Sequence, residues 1–328
     1  MSVNQAEKIV ESLREWTWVN QQRRRGGYLV TDDQLAEEFY DLFGYGGLTT
    51  EIVGYLFALL QLEEEQWVKL FERLQDFYLD WWEGKFMDAP PTENWPQKKL
   101  GQLKEQGIFR GLRQVDIYTG LNVLILLFNL HSYGQEREEL KGKISFHPCG
   151  QPDSKEIETD RLKLIINYGE GAELLAFTQF VAFHLSNANL SNANLIKANL
   201  NQANLNQADL NQADLSNADL IKVDLIKADL NQANLINADL NQANLSQVNL
   251  CEANLINANL IQANLIQANL RGANLREANL RRVNLRGTNL RETNLKNISC
   301  DENTKWQGIK GLAEAKNVPE ELIKQLTQ

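Results

Sequence analysis

Cysteine is scarce, with 3 in 328 residues, at positions 149, 251 and 300. An odd number so widely spaced supports neither a disulfide framework nor a zinc knuckle. Histidine is as rare, and His131, His147 and His184 have no second ligand or carboxylate at metal-site spacing. No metal is therefore expected. The chain also lacks GxSxG, HExxH and any phosphate-loop glycine pattern. His147 and Cys149 flank Pro148 in a stretch that reads as a loop; with no oriented base or oxyanion donors beside them, a thiol enzyme is the weakest reading. The expectation is a noncatalytic protein without a cofactor.

Long apolar runs are missing too. The most apolar stretch, Leu121 to Leu130, is about half the length a membrane span needs, so a buried helix is expected there and no membrane span. MSVNQAEKIVESL at the N-terminus is amphipathic and has no apolar core of signal-peptide type, which makes cytoplasmic residence the default expectation. Positive charge is in deficit, with 33 Lys and Arg against 43 Asp and Glu, a net of −10. Direct nucleic-acid binding is disfavoured by that balance.

What the sequence has in abundance is one pentad. Leucine recurs at every fifth position from Leu185 to Leu295 without an insertion, and the run closes on a degenerate copy, KNISC. A period of five matches neither the 3.6 of a helix nor the 2 of a straight strand. The conflict disappears if the chain turns a corner in every pentad. The leucine and the small residue two before it, usually Ala as at 188, 193 and 198, then both point inward, with Asn or Asp between them facing out. Gly272, Gly287 and the asparagines at 187, 192, 217, 237, 257 and 297 stand at the second bend position, where a positive φ costs least. Gln is commoner there. Val223, Val248, Val283, Thr288, Thr293 and Ile298 are larger occupants of the small inward site, which suggests a core that widens or closes toward its end.

The A(N/D)LXX pattern over residues 181–300 resembles the pentapeptide-repeat proteins, a family abundant in cyanobacteria. The resemblance implies a right-handed quadrilateral β-helix with four pentads per coil and Leu and Ala inside. At 20 residues per coil that stretch makes about six coils, roughly 29 Å of rod. Some members of the family resemble DNA in shape and charge and bind DNA gyrase. That makes the acidic band Asp209, Asp214, Asp219, Asp224, Asp229 and Asp239 an alternative functional surface. It is short, Lys222 and Lys227 interrupt it, and beyond it the charge reverses to Arg271, Arg276, Arg281, Arg282, Arg286 and Arg291. The arginines 271, 276, 281, 286 and 291 form a ring in the four-sided reading. With the apolar stripe Ile196, Ile236 and Ile256, they are the preferred candidate surface for an unidentified protein partner or a second copy.

Residues 1–175 read as a mostly helical, acidic domain, 176–300 as the repeat, and 301–328 as a cap ending in a short helix, VPEELIKQL. Residues 1–180 hold 19 basic against 29 acidic side chains. Ser2 with Gln5 suggests a cap for a helix to about Gln22, ended by Arg23, Arg24 and Arg25 before Gly26 and Gly27. Thr31 with Gln34 starts a second helix, with Gly44 as its stop. A third helix is expected from Thr50 to Leu62. Trp67, Leu70, Phe71, Leu74, Tyr78 and Trp81 make the apolar stripe of another. After the extended APPTENWP, helices are expected near 97–106, 115–133 and 154–168. Phe180 and Phe183 stand where Leu and Ala would recur and are read as joining the helical domain to the first coil.

Overall fold

The computed structural model describes residues 3–19, 27–150, 158–172 and 176–326, so Ser2 and Arg23 to Gly26 lie outside the described residues. The fold divides into a helical unit, residues 1–146 with 168–181, and a repeat unit, residues 147–167 with 182–328.

Among the described residues seven α-helices precede the repeat: α1 (Val3–Glu15), α2 (Asp32–Phe43), α3 (Thr50–Leu59), α4 (Glu64–Trp82), α5 (Trp95–Glu105), α6 (Leu112–Gln135) and α7 (Arg161–Ala172). The capping box at α2 forms as its sequence suggests: the Thr31 side chain accepts from the Gln34 N–H, and the Gln34 side chain reaches back to the Thr31 N–H. Gly44 closes that helix by donating to the Tyr40 carbonyl. α1 stops earlier than its periodicity suggested, because Thr17 and Trp18 tighten to donate three residues back, to the Arg14 and Glu15 carbonyls.

α6 is the axis of the helical unit. Leu121 to Leu130 is only its middle, and the whole helix is long and apolar enough to cross a membrane by length and composition, yet nearly nine-tenths of its most apolar window is buried inside the protein. It packs against α2, α4 and α5. Gly120 permits the closest of these approaches, because a Cβ there would lie 1.9 Å from the Trp81 indole of α4. The stripe expected on α4 is buried as predicted, with Trp67, Leu70, Phe71, Leu74, Tyr78 and Trp81 all in the core.

From Asn189 to Asn279 each residue before a repeat leucine bridges in parallel to the residue 20 positions later, as in Asn189 with Asp209 and Asp209 with Asp229. One coil is therefore four pentads, and each pentad contributes a single bridge and a turn. Among the described residues the repeat holds isolated bridges rather than continuous strands. Every repeat leucine from Leu185 to Leu295 is buried, and so is the small residue two before it from Ala188 to Thr293. The second bend position adopts a positive φ whatever its residue: Gln202 at 58°, Lys222 at 57°, Glu277 at 62° and Arg282 at 59° match Asn217 at 58°.

Toward the end of the rod the large inward residues behave differently from one another. Val283 is simply buried. Thr288 and Thr293 donate their hydroxyls to the Leu265 and Leu270 carbonyls at 2.7 Å, so they satisfy polar backbone as well as fill space. Ile298 is only half-buried. The sequence places the end of the repeat at Cys300, but the bridges continue: Lys305, Lys310 and Lys316 pair with Asn284, Asn289 and Asn294. Those spacings exceed 20, so small insertions hide this final turn from a period-of-five search. α8 (Glu320–Leu326) follows, with Leu322 buried.

Phe180 and Phe183 do not continue the inward pattern. Phe180 meets Tyr118 edge-on, ring centroids 6.1 Å apart, and covers Gly47 within the helical unit. Phe183 is exposed, and Ala182 is the buried residue whose carbonyl accepts from the Asn204 N–H.

Candidate functional site

The outer surface of the repeat is set by where each backbone N–H goes. In the pentad around Leu210, the Ala208 N–H turns back to Leu205 O, and the Asp209 N–H donates to Ala188 O in the previous coil. The Leu210 and Gln212 N–H groups donate to Asp229 O and Asn231 O in the next coil. Only the Asn211 N–H has no backbone acceptor, and the Asp209 side chain takes it at 3.0 Å. A residue with a short acceptor arm is required before the leucine, and both Asn and Asp supply one. Asn adds a ladder, as where the Asn249 amide donates to the Asp229 carboxylate at 2.9 Å.

This accounting changes the meaning of the acidic band. Asp209, Asp214, Asp229 and Asp239 each accept the N–H two residues on. Asp219 and Asp224 instead accept the Asn201 and Asn206 amides at 2.6 and 2.9 Å, while those asparagines take the Ile221 and Ile226 N–H groups. The second oxygens of Asp219 and Asp224 are buried without a hydrogen bond. All six carboxylates are half-buried. With 20 residues per coil they also distribute over all four sides, Asp209 and Asp229 on one, Asp219 and Asp239 on another, and Asp214 and Asp224 singly.

Arg271, Arg276, Arg281, Arg286 and Arg291 are exposed, unlike the half-buried residues that hold the same pentad place in earlier coils. Three already have acidic neighbours: Arg271 with Glu292 at 3.6 Å, Arg276 with Glu277 at 3.5 Å, and Arg291 with Glu314 at 3.6 Å. No ion pair to Arg281 or Arg286 is found among the described residues. These two lie on adjacent sides, with Arg282 beside the first, its N–H donating to Asp301 at 3.0 Å. Ile196, Ile236 and Ile256 do share a side, but they are half-buried and Ser216 separates the first from the others.

The thiol reading loses its chemistry here. Cys149 is 6% exposed, and burial pushes its thiol up, against the lowering effects of the Leu162 N–H and Arg161. Its Sγ lies 3.6 Å from the Thr159 carbonyl. That carbonyl also accepts the Asn194 N–H, so this segment satisfies backbone of the first coil. Burial likewise pushes His147 down. Among the described residues, no group of three or more His, Cys, Asp or Glu could hold a metal.

Sequence reading missed a polar cluster inside the helical unit. Asp116 of α6, 3% exposed, accepts from the Tyr40 hydroxyl at 2.6 Å, the Trp81 indole N–H at 3.2 Å and the Tyr168 hydroxyl at 3.5 Å. Burial raises the Asp116 carboxyl to about 6, although the three donors pull the other way. Tyr168 is pushed up to about 12 by burial and by the Asp116 charge. The donors sit far away in sequence and on other helices, so no local motif announces the cluster.

A family model described as pentapeptide repeats matches overlapping stretches between residues 175 and 297. Among solved structures, the pentapeptide-repeat protein Rfr23 from the cyanobacterium Cyanothece 51142 is similar at 38% identity, over 36% of this chain and 91% of that one, with a TM-score of 0.28. HetL from the cyanobacterium Nostoc sp. strain PCC 7120, a pentapeptide-repeat protein involved in heterocyst differentiation regulation, is 25% identical over 40% of this chain and 81% of its own, with a TM-score of 0.17. QnrB1, a plasmid-mediated fluoroquinolone resistance protein, is 18% identical over 43% of this chain and 88% of its own, with a TM-score of 0.24. No curated protein matches the chain.

Proposed function

The chain belongs to the pentapeptide-repeat family, and from that premise we propose that it is a noncatalytic interaction or scaffolding protein whose rod is a right-handed quadrilateral β-helix. One observation carries this reading. The pentad's repeating polar groups are engaged in closing the backbone, so binding chemistry is left to the two bend residues, and in the arginine belt these become long, exposed and charged.

Within the belt the binding surface is narrower than the ring the sequence suggests. Arg271, Arg276 and Arg291 are compensated by their glutamates, while Arg281 and Arg286 give two adjacent sides a positive edge. An acidic protein surface complements such an edge; duplex DNA, which rewards many simultaneous phosphate contacts, gains little from it. Arg281→Glu with Arg286→Glu should abolish capture of an acidic partner that Arg271→Glu with Arg276→Glu only weakens. Pull-down and light scattering across a salt series provide the measurement, since screening shortens the reach of exposed charges to about 8 Å at physiological salt. If both pairs of changes leave association as it was at every salt concentration, the belt is only a solvated surface.

The acidic band as a gyrase-binding DNA mimic is the competing reading. Its carboxylates are half-buried, hydrogen-bonded and dispersed over four sides, which disfavours a continuous phosphate-like track. Inhibition of supercoiling by the parent protein, lost when Asp209, Asp219, Asp229 and Asp239 become Asn, would favour it instead.

A further inference from the structure

Two features of the helical unit are unexplained by its core. The first is the turn between α5 and α6, where every residue from Lys104 to Gly111 is exposed. Phe109 is 82% exposed and Ile108 38%. This turn is built rather than loose. Gly107 takes a φ of 74°, the Ile108 N–H donates to Leu103 O at 2.8 Å, and the Gly111 N–H donates to Gln114 Oε1 at 2.7 Å. Phe109 is thus held outward between two capped helix ends. Lys104, Arg110 and Arg113 flank it against a single acid, Glu105, although residues 1–180 as a whole are strongly acidic.

The second feature is a cavity of about 230 Å³ between the start of α2, the later half of α4 and the turn after it. Leu35, Ala36, Phe77 and Phe86 give it apolar walls, and all four are buried. Of its acidic residues, Asp32 is paired with Arg73 at 3.2 Å and Asp80 with Lys85 at 2.5 Å. Asp33 and Asp76 form no ion pair among the described residues, although Lys85 acts on the first and Arg73 on the second at longer range. Burial, then the charges of Asp32 and Asp80, raise the Asp76 carboxyl. The turn's residues are not among those lining the cavity, so a copy does not fill its own.

We propose that the Phe109–Arg110 tip of one copy seats in this cavity of a second copy, the ring against Phe77 and Phe86 and the guanidinium beside Asp33 and Asp76. Size favours this occupant. An apolar cavity of about 150 Å³ holds a benzene ring, whereas small-molecule sites run to about 300–1,000 Å³. Charge favours it as well, because a basic prominence on an acidic unit meets that unit's acidic rim. Aromatic and arginine side chains are also the residues that most often anchor interfaces. The tip and the cavity are different patches, so a single contact leaves one tip and one cavity open, for further copies to add head to tail or for the same two copies to close as a reciprocal pair.

This inference is independent of the arginine belt, and its test uses the full chain. Sedimentation velocity at low salt should show assemblies growing with concentration. Phe109→Ser and, separately, Asp33→Lys with Asp76→Lys should each weaken association by about tenfold or more. The decisive step is to mix these two variants. The Phe109→Ser copy keeps its cavity and the double-lysine copy keeps its tip, so an equimolar mixture should form a dimer and nothing larger. Arg281→Glu with Arg286→Glu should leave all of this unchanged, which separates failure of this contact from failure of the belt. The proposal is overturned if the parent stays monomeric at every concentration, if Phe109→Ser associates as the parent does, or if the mixture of folded variants stays monomeric.

Discussion

At the scale of single residues, the Asn or Asp before each leucine is the position whose role changed most between sequence and structure. The sequence marked it as outward and polar. In most pentads, Asp219 and Asp224 excepted, its side chain is in fact the acceptor for the one N–H that no backbone carbonyl takes, and nothing in the period of five reveals that. Asn274 shows the consequence: its Oδ1 accepts the Arg276 N–H at 3.2 Å and the Asn294 amide at 3.0 Å. Asn274→Ala leaves both donors unmatched and should cost about 1–3 kcal/mol. Asn274→Asp keeps the acceptor and should be nearly neutral. Urea titration of the two variants decides the matter, and equal losses would contradict the assigned role. The bend residue taught the opposite lesson. Asn and Gly made it legible, yet Gln, Lys, Glu and Arg adopt the same positive φ, because the rod's geometry overrides their own preference.

At the scale of elements, helices with local start and stop chemistry were legible: Thr31 with Gln34, Gly44, and the α4 stripe. α6 was legible nearly whole, expected at 115–133 and found at Leu112–Gln135, but the roles of Asp116 and Asn122 were not, because they look like interruptions in an apolar run. Asn122 is instead satisfied by the Phe43 and Gly46 carbonyls and the Leu48 N–H, and Asp116 by donors from α2, α4 and α7. The Asp116 cluster therefore ties four helices together, and its protonation bears on all of them. The folded-state value of about 6 lies above the ordinary carboxylate value of about 3.9. The folded chain thus binds more protons between those values, and stability falls as pH rises through the window. The contribution is fully present below about pH 4 and lost above about pH 6, on the order of 2–3 kcal/mol. Asp116→Asn cannot titrate. Relative to that variant, the parent should lose stability between pH 4 and pH 7 in chemical denaturation, and parallel stability profiles would remove the cluster from this role.

At the scale of the whole molecule, the rod obeys two periods that can be separated. Burial repeats with five, because every pentad places its leucine inward, while surface columns repeat with 20, because only then does a coil return to the same side. Removing Asn241 to Leu245 keeps the first period and breaks the second. Every inward residue beyond the deletion stays inward, but Ile256, Arg281 and Arg286 move round by one side relative to Ile196 and Ile236. Stability in a repeat protein is close to a sum over neighbouring units, so this deletion should cost no more than one pentad's share. Deleting only Ala243 and Asn244 leaves three residues where a side needs five and should cost far more, through misplaced leucine and broken bridges on both neighbouring coils. Thermal unfolding of the pair tests that half of the argument. The other half is functional. Association through Arg281 and Arg286 alone should survive the five-residue deletion, since the belt's own columns stay in register with one another. A partner that spans the belt and the isoleucine side together should be lost while the rod remains folded.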